Sequence, residues 1–224
     1  MVLVDSLGGD LEKIPKPDRY RKPGLLVSFF ASLGSILLFS TLIFTTINFP
    51  SLYKIAKYNL RPKAFAKEAP QIVSPGSLTE APPIKQYADN TLFIPKIGVE
   101  APISWNVEEA DILDVLPNGL AQIDGTAKPG EGKNIFITGH SSNYWWRKGD
   151  YNSVFALLPE LNQGDEIFIN YQGKLRKYIV SDKREISPKA AGNFVSSAGE
   201  QVTLMTCVPI GTNLRRLLVI AKPS

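Results

Sequence analysis

Residues 201–221 read QVTLMTCVPIGTNLRRLLVIA. Two apolar runs of strand length, 201–207 and 215–221, enclose a segment carrying Pro, Gly and Asn. That punctuation marks strand, loop, strand. In the first run the two-residue alternation puts Thr203, Met205 and Cys207 on one face and Val202, Leu204 and Thr206 on the other. Pro209 has no N–H to donate, so pairing should stop there, leaving Cys207 where a strand opens into a loop. In the second run Arg215 and Arg216 must point to opposite faces.

The same texture extends back to Thr91. TLFIP (91–95), VEAPISW (99–105), GLAQID (119–124), NIFITG (134–139), EIFINY (166–171) and LRKYIVSD (175–182) are further short apolar runs bounded by turn residues. YQGK at 171–174 is a hairpin signal between two of them. Residues 107–116 and 152–161 have helical spacing, although Pro159 limits the second. Eight short strands with brief helical connections predict a mainly β fold, a closed or nearly closed eight-stranded barrel. The connections are mostly too short for parallel crossovers, so antiparallel pairing is expected.

The chain of 224 residues contains one cysteine and one histidine. An internal disulfide is therefore excluded, and so is a four-ligand zinc site of Cys and His. His140 ends the run NIFITGH, as Cys207 ends QVTLMTC. Strand ends are where a rigid scaffold holds a side chain at a loop mouth, the usual setting of catalytic groups. The two residues taken alone remain open to either reading: a Cys–His catalytic pair, or a buried thiol and an unrelated structural imidazole.

The net charge of +4 is unevenly distributed. Residues 1–90 hold 11 Lys/Arg against 7 Asp/Glu, whereas 91–224 hold 14 of each. A nucleic-acid surface needs a basic stripe on the folded domain, and this count supplies none. The excess instead flanks residues 24–49, which are 26 residues without a charge. As a helix this run reaches ~39 Å, enough for a hydrocarbon core of about 30 Å. It exceeds a signal-peptide core and no cleavage pattern closes it, so an uncleaved membrane anchor is expected rather than a buried helix. Lys13, Lys16, Arg19, Arg21 and Lys22 precede the run; Lys54, Lys57, Arg61, Lys63 and Lys67 follow it. Five against five leaves the orientation undecided by charge. Residues 50–90 carry Pro62, Pro70, Pro75, Pro82 and Pro83 and read as a juxtamembrane stalk with a short helix at 51–60.

These residues together resemble the sortases, cysteine transpeptidases that join surface proteins to the cell wall or to one another. IPKIGVEAPI (94–103), NGLAQIDGTAKPGEGKNIFITGH (118–140) and VFALLPELNQGDEIFI (154–169) are similar to successive parts of that domain. VTLMTC (202–207) matches the family's TLxTC signature, and CVPIGTNLRRLLV (207–219) resembles the ending of pilus-type (class C) enzymes. The Asp-Pro-aromatic lid motif common in that class is not found in 50–90.

The resemblance implies Cys207 as nucleophile, His140 as acid/base, and Arg216, directly before Leu217-Leu218-Val219, as the oxyanion or substrate-positioning cation. Arg215 is the competitor for that last role. Thr206 and the aromatic loop residues Tyr144 and Trp145 are candidate substrate contacts, with packing of the loop rings on the barrel as the alternative. The implied reaction cleaves an LPxTG-like sorting signal through a thioester. It then transfers the chain to an amine, on a cell-wall precursor or a pilin lysine. The implied layout is a cytoplasmic tail (1–23), a lipid-embedded anchor (24–49), the stalk (50–90) and an extracytoplasmic barrel (91–224). No cofactor is expected. Glu108, Glu109, Asp111 and Asp114 read as a solvated helix face rather than as calcium ligands. Two other readings exist: an L,D-transpeptidase-like enzyme, which would expect an SHGC-type motif, and a non-enzymatic anchored barrel for adhesion or assembly.

Overall fold

The computed structural model describes residues 24–61, 66–69, 88–196 and 199–224. The expected tail 1–23 and the Pro-rich stretch 70–87 lie outside the described residues. The chain divides into two compact units, Met1–Thr41 and Leu42–Ser224. In the first, the described residues form most of α1 (Leu25–Ile47), an uncharged helix long and apolar enough to cross a membrane. None of its residues is buried, which removes the buried-helix reading.

In the second unit, α2 (Phe49–Leu60) starts after Asn48 with Pro50 in its first turn, where a missing N–H costs nothing. It covers the helix expected at 51–60. It is not free stalk: Tyr58 is buried, Ile55 packs against the barrel core, and Lys54 Nζ donates to the Ser153 carbonyl at 2.9 Å. Burial holds the Lys54 pKa below the ordinary lysine value. Asn48 is also buried, close against Gly211 in the loop after Cys207.

Eight strands follow: β1 (Thr91–Ile94), β2 (Val99–Val107), β3 (Leu120–Ile123), β4 (Asn134–Thr138), β5 (Glu166–Tyr171), β6 (Lys174–Ile186), β7 (Gln201–Val208) and β8 (Arg215–Pro223). They close into a barrel in the order β1-β2-β3-β4-β7-β8-β6-β5, with β5 pairing back onto β1. The fold is the mainly β barrel expected. Its interior is built by alternation: Leu92 and Ile94, Ala101 and Ile103, Ile135 and Ile137, Ile167 and Ile169, Val202 and Leu204, Leu217 and Val219 all join one buried cluster. Closure also removes unpaired edges.

Three local expectations need correction. Pairing is not antiparallel throughout, because β2–β3 and β4–β7 are parallel. Residues 108–119 between β2 and β3 are long enough for a crossover, and β4 and β7 are not consecutive in the chain. The helix expected at 107–116 is one α turn, α3 (Ile112–Val115), between 3₁₀ turns at Glu109–Asp111 and Leu116–Asn118. Val107 stays in β2, and Pro117 ends the helical bonding. The segment 152–161 is a run of turns closed by a 3₁₀ turn at Leu158–Glu160. Val154, Phe155, Ala156, Leu157 and Leu158 are all buried, so this segment fills the core on every side and has no helical stripe.

Candidate active site

The site begins with the parallel pair β4–β7. Its register runs from Asn134↔Gln201 to Thr138↔Met205. Beyond β4 the alignment persists: Gly139 N donates to the Met205 carbonyl at 3.1 Å, and Thr206 Oγ1 donates to the Gly139 carbonyl at 2.8 Å. One more step sets His140 beside Cys207. On the other side of β7, the antiparallel β8 pairs Arg216 directly with Cys207. Directly opposed residues share a face, and neighbouring strands lie about 4.8 Å apart. His140, Cys207 and Arg216 thus form one row across three adjacent strands at one end of the barrel. The inward side chains of β7 are Val202, Leu204 and Val208, so the row lies on the outer face, with all three residues half-buried.

The two arginines differ as strand alternation requires. Arg215 pairs with Val208 and is tied to β6: its Nε lies 3.1 Å from Glu185 Oε2, and Nη2 donates to the Glu185 carbonyl. Arg216 Nη1 reaches only the carbonyls of Asn213 and Arg215, both at 3.3 Å. A guanidinium has five donors, so most of those on Arg216 remain available toward the Cys207 face. Thr206 is buried on the inward side. Its hydroxyl, committed to Gly139, clamps the end of β4 to β7.

Gly139 is required by close packing. A Cβ there would lie 2.6 Å from Phe155 Cδ2 and 2.7 Å from Leu120 Cδ2. Gly139→Ala is therefore expected to destabilise the fold by roughly 1–3 kcal/mol through overpacking. It should also lower activity by displacing His140. A denaturation midpoint and a rate measured on the same sample check both.

Around His140, Phe155 N donates to its backbone carbonyl at 2.9 Å. Asn143 Nδ2 lies 3.4 Å from His140 Nε2 and also donates to Asn152 Oδ1, while Asn143 Oδ1 accepts from Tyr144 N. An amide donor facing Nε2 suits a ring that is unprotonated at that nitrogen. Burial, and then the nearby Arg147 cation, lower the His140 pKa from its ordinary value. Removing a cation favours the imidazolium. Arg147→Gln should therefore raise the His140 pKa without restoring its ordinary value, because burial is the larger cause. Proton NMR of the single histidine ring across a pH titration reads this directly.

Asn143, Arg147 and Asn152 were not singled out by sequence. Their one signal was proximity to His140 in SSNYWWRKGDY, which does not reveal which side chains turn back on the ring. The same loop exposes Tyr144, Trp145 and Trp146, while Tyr151 packs on the core. The alternative that the loop rings pack on the barrel holds only for Tyr151. Among the described residues no group of three or more His, Cys, Asp or Glu could hold a metal ion.

Comparison with known proteins agrees with this fold. The sortase domain model matches residues 92–224. Sortase SrtE1 of Streptomyces coelicolor is 28% identical over 231 residues, covering 91% of this chain and 60% of the relative. Sortase A of Bacillus anthracis is 24% identical over 135 residues, covering 60% of this chain and 59% of the relative. The chain thus spans about 60% of the length of the curated relatives it matches. Among solved structures, sortase C-1 from Actinomyces oris aligns with a TM-score of 0.52 at 28% identity, over 60% of this chain and 72% of its own. A lid mutant of sortase A from Corynebacterium diphtheriae aligns at 0.51 and 27%, over 78% and 92%. The domain match starts at the second residue of β1 and takes in every strand of the barrel, so the chain belongs to the sortase family, a family of cysteine transpeptidases.

Proposed function

We propose that this protein is a membrane-anchored transpeptidase that cleaves an LPxTG-like sorting signal and passes the released acyl chain to an amine. The observation that carries this reading is the row formed by His140, two residues past the end of β4, Cys207 on β7 and Arg216 on β8. The Cys207 thiolate attacks the scissile carbonyl carbon and forms a C–S bond. The oxyanion that develops meets the N–H donors of the Arg216 guanidinium. The C–N bond breaks as the His140 imidazolium gives its proton to the leaving amine. An incoming amine then attacks the thioester and loses its proton to His140. A new amide forms and the Cys207 thiolate is released. The three side chains supply nucleophile, proton and donors, so the proposed reaction calls for no cofactor.

The acceptor in this reading is an amine of a cell-wall precursor or a pilin lysine. The proposed topology has the N-terminus in the cytoplasm, residues 24–49 in lipid and the barrel outside. Intact-mass spectrometry of the protein with a panel of LPxTG-like peptides tests the reading. A thioester adduct mapped to Cys207 is expected; neither adduct nor cleavage across the panel would sink it.

A further inference from the structure

α2 has a second apolar face that the barrel does not cover. Ile55 and Tyr58 turn toward the core, but Phe49, Tyr53 and Leu60 are 58%, 55% and 82% exposed. At 100° per residue these three fall within a narrow arc, with exposed Ala56 between them. The Phe49 and Tyr53 rings stack, with centroids 5.9 Å apart. The loop after His140 adds three more exposed rings in mutual contact: Tyr144 stacks on Trp146 at 4.7 Å, and Trp145 meets Trp146 edge-on at 5.7 Å. Exposed contiguous rings of this size mark an interaction site.

These two patches are continuous. Trp145 and Phe49 line one shallow concavity together with Thr45, Thr46 and Pro50. Thr45 and Thr46 lie in the last turn of α1, close to the end of the uncharged segment 24–49. The concavity is therefore set at the level where the apolar helix would leave the hydrocarbon. Trp and Tyr concentrate at that level because an apolar ring with a polar N–H or O–H suits the headgroup boundary. Arg147 and Lys148, both exposed, follow the rings directly and complement anionic headgroups.

We infer that the outer stripe of α2 and the Tyr144–Trp146 loop form one lipid-facing surface, seated in the interfacial zone of the membrane that α1 crosses. The inference rests on the anchored reading above and goes beyond it: the barrel is docked on the bilayer and not merely tethered to it. The alternative, that these rings line the peptide groove, accounts for the loop but not for the α2 stripe.

The test uses the full chain in vesicles of phosphatidylcholine and phosphatidylglycerol, with and without bromine at shallow acyl positions. Of the three tryptophans, Trp105 is half-buried with its Nε1 donating to Asn90 Oδ1 and serves as the internal control. Brominated lipid should remove the emission of Trp145 and Trp146 and spare Trp105. Trp145→Ser with Trp146→Ser should abolish the quenching. Phe49→Ser with Tyr53→Ser should weaken it while leaving both loop tryptophans in place. Alkaline carbonate extraction of the same vesicles reads the anchor separately. A chain that resists extraction but is not quenched overturns the docking and leaves the anchor standing. Extraction into the supernatant overturns the anchor and the docking with it. Loop emission that ignores bromine and shifts on adding an LPxTG-like peptide assigns the rings to the substrate groove, against the inference.

Discussion

Cys207→Ala is expected to abolish the acyl adduct and to lower peptide cleavage and transfer by roughly four or more orders of magnitude, as loss of a nucleophile does elsewhere. The fold should survive. Cys207 is half-buried on the outer face of β7, outside the buried cluster made by Val202, Leu204 and Val208. The loss of one sulfur there should cost about 1 kcal/mol or less. An unchanged melting curve beside a dead enzyme is therefore the expected pair of results. A Cys207→Ala protein that still processes peptide would leave the thiol as a packing residue and favour the non-enzymatic barrel. The chain's single thiol makes the experiment clean, because no second cysteine can take over or form a confounding adduct.

Arg216→Ala should lower the rate by about 10²–10³ through loss of an oxyanion donor. Arg216→Lys should recover only part of that, since an ammonium keeps the charge but not the planar fork of donors. Arg215→Ala should do far less. Its guanidinium is spent on Glu185, a pair with both side chains more than half exposed, and such pairs contribute little. Single-turnover acylation with one peptide, compared across the three variants, reads the difference. A large loss in Arg215→Ala with a mild one in Arg216→Ala would reverse the two roles.

The strands were readable because each carries its own local signature. Seven of the eight quoted runs fall within two residues of β1–β5, β7 and β8. β6 is the exception, running on to Ile186. Its register slips between Val180 and Asp182, and the Lys183-Arg184-Glu185 stretch beyond is polar, with no apolar alternation to read. The parallel pairs were not readable, because a partner far away in the chain leaves no mark on local periodicity. The same limit divides the site. His140 and Cys207 could be located at strand ends by turn and proline signals, whereas alternation said only that Arg215 and Arg216 face opposite sides, and the choice of Arg216 came from the family resemblance. What surrounds His140 could not, because the Asn143 contact and the Arg147 charge depend on how an irregular loop folds back. The segment 152–161 misled for a related reason. Its apolar spacing is compatible with a helix, but residues buried on all sides need no stripe, and Pro159 denies the last turn a donor.

The β4–β7 pairing also governs when His140 and Cys207 can meet. Gly139 and Thr206, which lock the ends of these strands together, stand 67 residues apart in the chain. Contacts of such long sequence separation form late, because the entropy of closing the intervening loop must be met before they reward it. A half-folded chain can hold β5–β6 as a local hairpin, but it cannot hold His140 against Cys207. The meeting of the one imidazole with the one thiol is thus a property of the closed barrel, which no fragment lacking either β4 or β7 can have.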